Sequence, residues 1–322
     1  MLSVLKRRSQ AKALDQESPV DLTATVAGHT FDNPVMAASG TAGYGAELAN
    51  YVDLSAIAAV VTKSLSPEPW GGNPAPRVHE TTGGMINSVG LQGPGVEAWL
   101  TDELPKLVAT GANVVASIWG RSLDEYARAA TMMAEAPPEV VAVEVNISCP
   151  NLEDNKRMFA HSASATAEVL EACKPAGRPL WAKLSPNATD IVPIAAAAAE
   201  AGAASLTLTN TVAAMAIDIA GRKPLLGAGR GGLSGPAVKP VALRAVFDVH
   251  EALPHQPIVG VGGVASASDI IEFLLAGASA IQVGTATFAD PRTTGRLVTE
   301  LTQWCRKNDV SALAELVGAA HR

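Results

Sequence analysis

Residues 256–286 read QPIVGVGGVASASDIIEFLLAGASAIQVGTA, and this stretch decides the fold class. Two short apolar runs, Gln256–Gly263 and Ala280–Ala286, lie on either side of a helical stretch at Ser266–Ala276. Serine and aspartate cluster at the start of the helical stretch and Gly277 follows it, which are start and stop signals of a helix. Short continuous apolar runs are typical of strands buried on both faces. The stretch therefore predicts a strand–helix–strand unit of a parallel α/β fold.

The same alternation extends outward over most of the 322 residues. Six further strands are predicted, in chain order, at Pro34–Ser39, Ala58–Ser64, Asn113–Ile118, Val140–Ser148, Pro179–Ser185 and Ser205–Thr211. Helical stretches lie between strands at Gly95–Thr110, Leu123–Ala136, Ser162–Lys174, Thr189–Ala201 and Ala237–Leu253. These units predict a single α/β domain, a (β/α)8 TIM barrel. A doubly wound sheet is the alternative, although such sheets usually have fewer strands.

The segments before the first barrel strand have separate predictions. Residues Thr23–Asn33 have the pattern of a small β-hairpin, which we expect to close the bottom of the barrel. Residues 1–20 are interpreted as an N-terminal arm, and residues 21–322 as the catalytic barrel.

Composition limits the class of protein. Hydrophobic residues make up 48% of the chain and aromatic residues 4%, which suits a buried parallel sheet under alanine-rich helices. The net charge of −7, without a basic stripe, argues against nucleic-acid binding. No apolar run is long enough for a membrane span, and the N-terminus lacks the pattern of a signal peptide. Three unevenly spaced cysteines fit a cytoplasmic protein, and the six scattered histidines predict no metal site.

Two connections, Leu65–Pro94 and Val212–Pro236, are long for a barrel. Each follows a predicted strand, on the side where barrel enzymes keep their active sites. Long loops within compact domains are commonly functional. We therefore expect both connections to form walls of an active site.

Polar residues or glycines end every predicted strand. They are Ser39, Lys63 with Ser64, Ser117, Asn146, Lys183 with Ser185, Asn210 with Thr211, Gly262 with Gly263, and Gly284 with Thr285. Because lysine is rarely buried without a partner, Lys63 and Lys183 on one rim suggest an anionic or electron-rich ligand. Glycine-rich ends of the last two strands, VGVGG (Val259–Gly263) and VGTA (Val283–Ala286), predict a phosphate site.

The segment NISCPN (Asn146–Asn151) places a cysteine just beyond a strand, between two asparagines. Asparagine amides can bind carbonyl and imide edges, and a thiol in a polar loop can act as a base or nucleophile. We therefore expect Cys149 to be catalytic. Cys173 and Cys305 lie in helical stretches, and we expect them to be ordinary core residues.

Taken together, these motifs resemble the class 1 dihydroorotate dehydrogenases, and the B type within them, from about Val20 to about Leu316. The shared motifs are ASGTAGYG (38–45), TKSLSPEPWGGNPAPR (62–77), GMINSVGLQGPG (84–95), EVNISCPN (144–151), AKLSPN (182–187), LTNT (208–211), GGLSGPAVKP (231–240), GVGGV (260–264) and QVGTA (282–286). Class 2 enzymes use serine as the base and carry a membrane-associated helical extension. Cys149 and the lack of such an extension therefore favour class 1.

The resemblance implies FMN as cofactor and oxidation of dihydroorotate to orotate in pyrimidine biosynthesis. It implies that Cys149 takes the C5 proton, that FMN accepts the C6 hydride, and that Lys63 also serves catalysis. Lys183 would place positive charge beside the flavin N1–O2 locus and stabilise the reduced, anionic ring. FMN would be contacted by Ser39, Lys63, Ser64, Ser117, Asn146, Lys183, Thr209, Gly235, Gly262, Gly263, Gly284 and Thr285. The substrate would be held by Lys63, Asn87, Ser88, Val89, Gly90, Leu91, Asn146, Asn151, Asn210 and Thr211.

The resemblance also implies a partner. B-type enzymes work with a second subunit that carries FAD and an iron–sulfur (2Fe–2S) cluster and passes electrons to NAD, in a homodimer or heterotetramer of catalytic subunits and partners. The chain departs from the family at SIWG (Ser117–Gly120), where an asparagine followed by small residues is more usual. Ser117 has a shorter reach than asparagine, Trp119 is bulky for a barrel rim, and the large Trp181 has no assigned role.

Three other functions are compatible with parts of the sequence. A phosphosugar lyase on the same barrel would use Lys183 as a Schiff base and the same phosphate site, but it gives no role to NISCPN. A flavin-binding electron-transfer subunit would keep the glycines without needing Cys149. A dihydropyrimidine dehydrogenase-like flavoenzyme shares the barrel and the cysteine base, but its substrate lacks the carboxylate of dihydroorotate.

Overall fold

The computed structural model describes residues 19–148 and 159–322, and its strands follow the predicted order closely. Numbered along the chain, they are β1 (Ala24–Val26), β2 (His29–Phe31), β3 (Val35–Ala37), β4 (Ala59–Val61), β5 (Val78–Thr81), β6 (Gly84–Asn87), β7 (Val114–Ile118), β8 (Val140–Asn146), β9 (Leu180–Leu184), β10 (Ser205–Leu208), β11 (Val212–Ala214), β12 (Ile217–Asp218), β13 (Lys223–Pro224), β14 (Gly231–Ser234), β15 (Ile258–Val261) and β16 (Ala280–Val283).

Eight of these strands close into a parallel barrel. Its order is β3, β4, β7, β8, β9, β10, β15 and β16, with β16 pairing back to β3. These are the eight predicted strands in chain order, so the prediction of a (β/α)8 barrel is confirmed and the doubly wound sheet is wrong. Several strands end a few residues before their predicted ends. Lys63 and Ser64, for example, lie beyond the last residue of β4, where the chain leaves the ladder to form the barrel rim.

Helices surround the barrel; those that precede the last barrel strand lie at the predicted places, and the two that follow it were not predicted. They are α1 (Val96–Ala98), α2 (Leu104–Val108), α3 (Leu123–Met133), α4 (Ala163–Cys173), α5 (Val192–Glu200), α6 (Lys239–Ala252), α7 (Ala267–Leu275), α8 (Ala286–Ala289) and α9 (Thr293–Lys307). A π-helical turn, Trp99–Glu103, joins α1 to α2. Short 3₁₀ turns lie at Glu47–Asn50, Leu54–Ala56, Phe159–His161, Lys174–Ala176, Pro236–Val238, Leu313–Glu315 and Ala319–His321. Within the described ranges, no helix is long and apolar enough to cross a membrane.

Serine side chains begin three of the outer helices. Ser122, Ser162 and Ser266 each precede a helix, and each hydroxyl accepts a hydrogen bond from a backbone N–H in the first turn. Such caps satisfy N–H groups that have no partner within the helix. At α7 the carboxylate of Asp269 also accepts from the backbone N–H of Ser266, which completes a capping box. The start signal read from the sequence at this helix is therefore confirmed.

The lower half of the barrel interior is apolar. Met36, Trp181 and Val259 pack there with Val26 and Phe31 of the β1–β2 hairpin. The hairpin therefore covers the N-terminal end of the barrel, as predicted. Trp181 of β9 is 1% exposed and fills this layer, which explains why a barrel strand carries such a large side chain.

The two long connections contain strands that the sequence analysis missed. β5 and β6 belong to the first connection, and β11 and β14 to the second; they join in one antiparallel sheet in the order β11, β14, β6, β5. The pairing of β14 with β6 brings Gly232 opposite Asn87 and Ser234 opposite Met85. A two-residue turn between β5 and β6, Thr82–Gly83, was a readable hairpin signal. The two connections thus form one continuous structure.

Candidate active site

A cavity of about 420 Å³ lies at the carboxyl ends of the barrel strands. Strand ends form its floor, and the sheet of the two long connections forms one side: Met85 and Asn87 come from β6, and Gly232 and Ser234 from β14. Both connections therefore line the cavity, which confirms that they are walls of a concave site at this end of the barrel.

The described wall of the cavity is positively charged. Lys63 and Lys183 are the only charged side chains among its described lining residues. Apart from these two, the polar lining consists of serine, threonine and asparagine side chains and glycine backbone. A concave site with two ammonium groups and no described carboxylate favours an anionic ligand.

Most of the predicted cofactor residues meet at this cavity. The lining includes Ser39, Lys63, Ser64, Asn146, Lys183, Thr209, Gly235, Gly262, Gly263, Gly284 and Thr285. Of the predicted substrate residues, the lining includes Lys63, Asn87, Val89, Leu91, Asn146, Asn210 and Thr211. Residues from seven strand ends and both connections thus converge on one space.

Five predicted residues are not placed on the cavity wall. Cys149 and Asn151 lie outside the described residues. Ser117 is fully buried, and its hydroxyl lies 2.9 Å from that of Ser64, behind the wall. Ser88 and Gly90 shape the first connection: the carbonyl of Ser88 accepts from Asn73, and that of Gly90 accepts from Trp70. Val89 and Leu91, which were predicted beside them, do line the cavity.

A chain of hydrogen bonds crosses the cavity floor from β7 to the end of β10. The Ser117 and Ser64 hydroxyls are bonded, and the Asn146 amide donates to Ser64 at 3.2 Å. The Asn210 amide donates to the Asn146 side-chain oxygen at 3.1 Å. These bonds fix the rotamers of Ser64, Asn146 and Asn210, so a ligand meets polar groups that are already oriented.

Tyr126 supports the strand that leads to Cys149. This tyrosine of α3 is fully buried, and its hydroxyl donates a 2.7 Å hydrogen bond to the backbone carbonyl of Asn146. Its ring packs edge-on against Phe159, with ring centres 5.6 Å apart. The sequence analysis did not single out Tyr126, because a tyrosine on an outer helix carries no signal of which strand it supports.

Glycines form a tight corner beside the ends of β15 and β16. Gly235 and Gly263 have φ of 100° and 75°, in the left-handed region that favours glycine. A Cβ on Gly235 would lie 2.7 Å from the Cα of Gly84, and one on Gly263 would lie 2.8 Å from the carbonyl oxygen of Gly235. Side chains are excluded here, so backbone is exposed to the cavity, as a phosphate cradle requires.

Lys183 has partners inside the barrel that the sequence analysis did not identify. Its ammonium lies 3.3 Å from Glu144 Oε1 and 3.3 Å from Gln282 Oε1, and the Gln282 amide donates to Glu144 Oε2 at 2.7 Å. Glu144 and Gln282 are fully buried and do not line the cavity. Both residues occur in the motifs EVNISCPN and QVGTA, but neither motif reveals which residue pairs with Lys183.

Asn187 is a second residue that the sequence analysis left out of the site. It lines the cavity, and its amide donates to the Ser185 hydroxyl at 2.9 Å and to the Thr211 carbonyl at 3.0 Å. Its side-chain oxygen accepts from the backbone N–H of Ala213. Asn187 therefore ties the end of β9 to the start of the second connection. Its place in the motif AKLSPN was the available signal.

The two described cysteines are unsuited to act as bases. Cys173 is fully buried, and burial raises the pKa of its thiol to about 12. Burial also raises the pKa of the Cys305 thiol. Because the thiolate is the reactive form, both thiols are inert at neutral pH, as expected for core residues.

The bulky Trp119 lies away from the cavity. It is 3% exposed and packs edge-on against Trp70 of the first connection, with ring centres 6.2 Å apart. The Arg121 guanidinium lies over the Trp70 ring, 4.3 Å from its centre. Trp119 therefore anchors the first connection to the end of β7, and the departure at SIWG places no large side chain in the described cavity lining.

Comparison with known proteins gives one consistent family. The sequence profile described as dihydroorotate dehydrogenase matches residues 21–304. The catalytic subunits of dihydroorotate dehydrogenase B (NAD(+)) from Pelobacter propionicus and Geobacter sulfurreducens are each 47% identical over 300 residues, which cover 93% of this chain and 98% of theirs. The corresponding subunit from Desulforudis audaxviator is 48% identical over 304 residues, or 94% of this chain and 98% of its own.

Proposed function

Because the chain belongs to the dihydroorotate dehydrogenase family, it is an oxidoreductase that oxidises dihydroorotate to orotate in pyrimidine biosynthesis, and we propose that it does so with FMN and with Cys149 as the base. The observation that carries the proposal is the convergence of two lysines, four asparagines and a glycine corner on one cavity. This donor set matches an anionic heterocycle beside a phosphate-bearing cofactor.

The cavity lining supports FMN as the cofactor. Gly235, Gly262, Gly263, Gly284 and Thr285 would hold its phosphate, since a Cβ at Gly235 or Gly263 would fill the corner. Ser39, Ser64 and Thr209 would contact the remainder of the cofactor, and Lys183 would lie beside the electron-accepting ring. When bound, FMN would supply the acceptor for the hydride that leaves C6 of the substrate.

Lys63 and the asparagines would hold the substrate. Dihydroorotate carries a carboxylate and a ring with paired amide donors and acceptors. The Lys63 ammonium would bind the carboxylate, and Asn87 and Asn210 would bind the ring edge through their amides. The Asn210 amide already donates to Asn146 and its side-chain oxygen accepts from the Thr211 backbone N–H, so the side chain is held in one orientation and its second N–H donor faces a defined direction.

Cys149 would remove the proton from C5, and the electron pair of that C–H bond would form the ring double bond as the C6 hydride leaves. The described part of β8 ends at Asn146, and Ser148 still lines the cavity. Cys149 is the next residue in the sequence after Ser148. General-base catalysis by one positioned side chain contributes about 10²–10⁴-fold to the rate.

The similar proteins are catalytic subunits by name, which supports a partner subunit for this chain. We propose that the chain works with a second subunit bearing FAD and an iron–sulfur cluster, with NAD as the final acceptor, in a homodimer or heterotetramer. We also propose a cytoplasmic location, which the free thiols of Cys173 and Cys305 support. A phosphosugar lyase is disfavoured because the Lys183 amine, which would have to attack a substrate carbonyl, is already engaged by Glu144 and Gln282 in the barrel interior.

The test is anaerobic mixing of the purified, FMN-loaded protein with dihydroorotate while the flavin absorption band is followed. The wild type is expected to lose the band stoichiometrically. Cys149→Ala is expected to bleach about 10²–10⁴-fold more slowly because the base is gone. Cys305→Ala serves as the matched control, since it also removes one thiol and is expected to keep the wild-type rate.

Three outcomes would contradict parts of the proposal. Equal bleaching rates in Cys149→Ala and wild type would exclude Cys149 as the base while leaving the reaction intact. A protein that takes up no FMN would exclude the cofactor. Dihydrouracil, which lacks the carboxylate, is expected to bleach the flavin far more slowly than dihydroorotate. The reverse preference would point to a dihydropyrimidine dehydrogenase.

A further inference from the structure

A buried ion pair lies directly beneath the cavity. Glu144 and Lys183 are the only charged side chains that are buried among the residues the structure describes. They come from adjacent strands, β8 and β9, and their side chains are 0% and 8% exposed. Charged groups this deep are rare unless they are paired, and breaking a buried pair is strongly destabilising. No step proposed above uses Glu144.

Lys183, Glu144 and Gln282 contact one another in a closed triangle of polar interactions. An ammonium has three N–H donors, and two of those on Lys183 are directed to Glu144 Oε1 and Gln282 Oε1. Gln282 donates its amide to Glu144 Oε2, so its orientation is fixed: the oxygen must face the ammonium and the nitrogen must face the carboxylate. This closed triangle leaves the Lys183 ammonium little freedom to move.

The ion pair also has a direction. Lys183 lines the cavity, whereas Glu144 and Gln282 do not. The positive end therefore faces the ligand, and the carboxylate lies behind it, in the barrel interior. The Glu144 carboxylate therefore offsets part of the ammonium charge that a ligand in the cavity would feel. Because both groups are buried, little water screens this effect.

We propose that Glu144 and Gln282 are positioning residues that hold the Lys183 ammonium at the cavity wall and set how much of its charge reaches bound FMN. This inference rests on the proposed function, because it takes FMN as the ligand beside Lys183. Glu144 touches neither the cavity nor the reacting atoms, so it acts on the cofactor through Lys183.

The experiment is a double-mutant cycle on the FMN-loaded protein with Glu144→Gln, Lys183→Met and the combined variant. The readout is the reduction potential of bound FMN at a fixed, mildly acidic pH, where lysine side chains are charged. Glu144→Gln removes the negative charge behind the ammonium and is expected to raise the ratio of reduced to oxidised FMN affinity about tenfold, or about 30 mV for two electrons. In the Lys183→Met background the same change is expected to leave the potential unchanged.

Thr207→Val is the matched control. Thr207 lies on β10 opposite Lys183 in the strand register, is fully buried, and has a hydroxyl without a hydrogen-bond partner among the described residues. Thr207→Val alters a residue beside Lys183 without removing a hydrogen bond of the ion pair, so the potential is expected to stay at the wild-type value. Equal shifts from Glu144→Gln in both lysine backgrounds, or no shift in either, would overturn the proposal.

A second readout needs no cofactor and separates the two proposals. In the FMN-free protein, Glu144→Gln is expected to lower the urea midpoint, and adding Lys183→Met is expected to restore most of the loss, because the stranded charge is removed. If Glu144→Gln does not fold, Gln282→Leu replaces it in the cycle, with its effect on the potential again expected to disappear in Lys183→Met. A wild type that binds no FMN would contradict the proposed function. A urea midpoint that Lys183→Met does not restore in the Glu144→Gln background would contradict the positioning role of Glu144.

Discussion

At the scale of single residues, the site depends on side chains that hold one another in place. Ser64 lies in the middle of the hydrogen-bond chain across the cavity floor, bonded to Ser117 on one side and Asn146 on the other. Ser64 lines the cavity and Ser117 does not. The two serines have the same functional group, so they can be compared directly.

Ser64→Ala is expected to weaken FMN binding more than Ser117→Ala does. It removes a cavity hydroxyl and strands the partners on both sides, at a cost of about 1–3 kcal/mol in unfolding free energy. Ser117→Ala removes only the hydrogen bond behind the wall, which costs about 1 kcal/mol. Urea unfolding and fluorescence titration with FMN measure the two effects. Weaker FMN binding in Ser117→Ala than in Ser64→Ala would mean that Ser117 contacts the cofactor directly.

Sequence reasoning at this scale identified the residues at strand ends and missed those behind them. Lys63, Asn146, Lys183 and Gly284 were found because the carboxyl ends of barrel strands converge. Glu144 was missed, although it lies two residues before Asn146. A polar residue inside a strand gives no indication of its partner, and Gln282 is 138 positions away along the chain.

At the scale of helices and strands, the start of α7 is joined to the start of α6. The Asp269 carboxylate accepts hydrogen bonds from the backbone of Ala265 and Ser266 and from the Lys239 ammonium at 2.7 Å. Burial raises the pKa of the Asp269 carboxyl, but the hydrogen bonds from Lys239 and from the Ala265 backbone outweigh burial. The net result is a pKa below the ordinary value of 3.8.

Asp269→Asn is expected to lower the unfolding free energy at neutral pH by about 1–3 kcal/mol, because hydrogen bonds to a charged acceptor are lost. The folded pKa is depressed, so this stabilisation is fully present above 3.8 and is lost as the pH falls through the lowered value. The difference between wild type and variant should therefore shrink in acid.

Urea unfolding at several pH values measures this difference. Asp248→Asn is the control, since Asp248 forms an exposed pair with Arg244 within α6. It is expected to cost less than about 0.5 kcal/mol at any pH. A difference for Asp269→Asn that stays constant into acid would contradict the role of the charge.

The connections between strands were the least predictable elements. Leu65–Pro94 and Val212–Pro236 were correctly expected at the cavity, but their strands were not foreseen. Each strand there has four residues or fewer, and the pairing that joins the two connections, β6 with β14, links segments more than a hundred positions apart. Short strands with glycine, such as Gly231–Ser234, give no apolar run or alternation to read.

At the scale of the whole molecule, the barrel is filled from below by apolar side chains and from above by polar ones. Trp181 is the largest side chain of the lower layer and packs against the hairpin that covers the barrel bottom. Its indole N–H has no hydrogen-bond partner among the described residues. Its contribution is therefore volume, not hydrogen bonding.

Trp181→Ala is expected to destabilise the protein by about 3–5 kcal/mol, because it leaves a cavity in the barrel interior. Trp181→Phe keeps most of the volume and loses no hydrogen bond, so it is expected to cost less. Tyr51→Ala, at a site that is 59% exposed, is the control and is expected to stay within about 0.5 kcal/mol of the wild type. Equal losses in the alanine and phenylalanine variants of Trp181 would indicate that the indole N–H matters after all.

The barrel as a whole was predictable because its signals repeat. All eight apolar runs became barrel strands in chain order, and glycines such as Gly111, Gly202 and Gly277 follow helices with positive φ, as read from the sequence. Trp181 could be placed on a strand but not in a layer. Which interior layer a side chain occupies depends on the stagger of the closed barrel, and no local pattern encodes that stagger.

The shared sheet of the two long connections has a consequence for how such enzymes can be recombined. Backbone hydrogen bonds join β6 to β14 along one side of the cavity, with Leu233 opposite Ile86. A one-residue shift in the register of β6 or β14 would turn the side chains of that strand to the opposite face. A chimera that takes only one connection from a homologue therefore risks mispairing β6 with β14. Exchanging both connections together preserves their register. The two connections are therefore best exchanged as one unit.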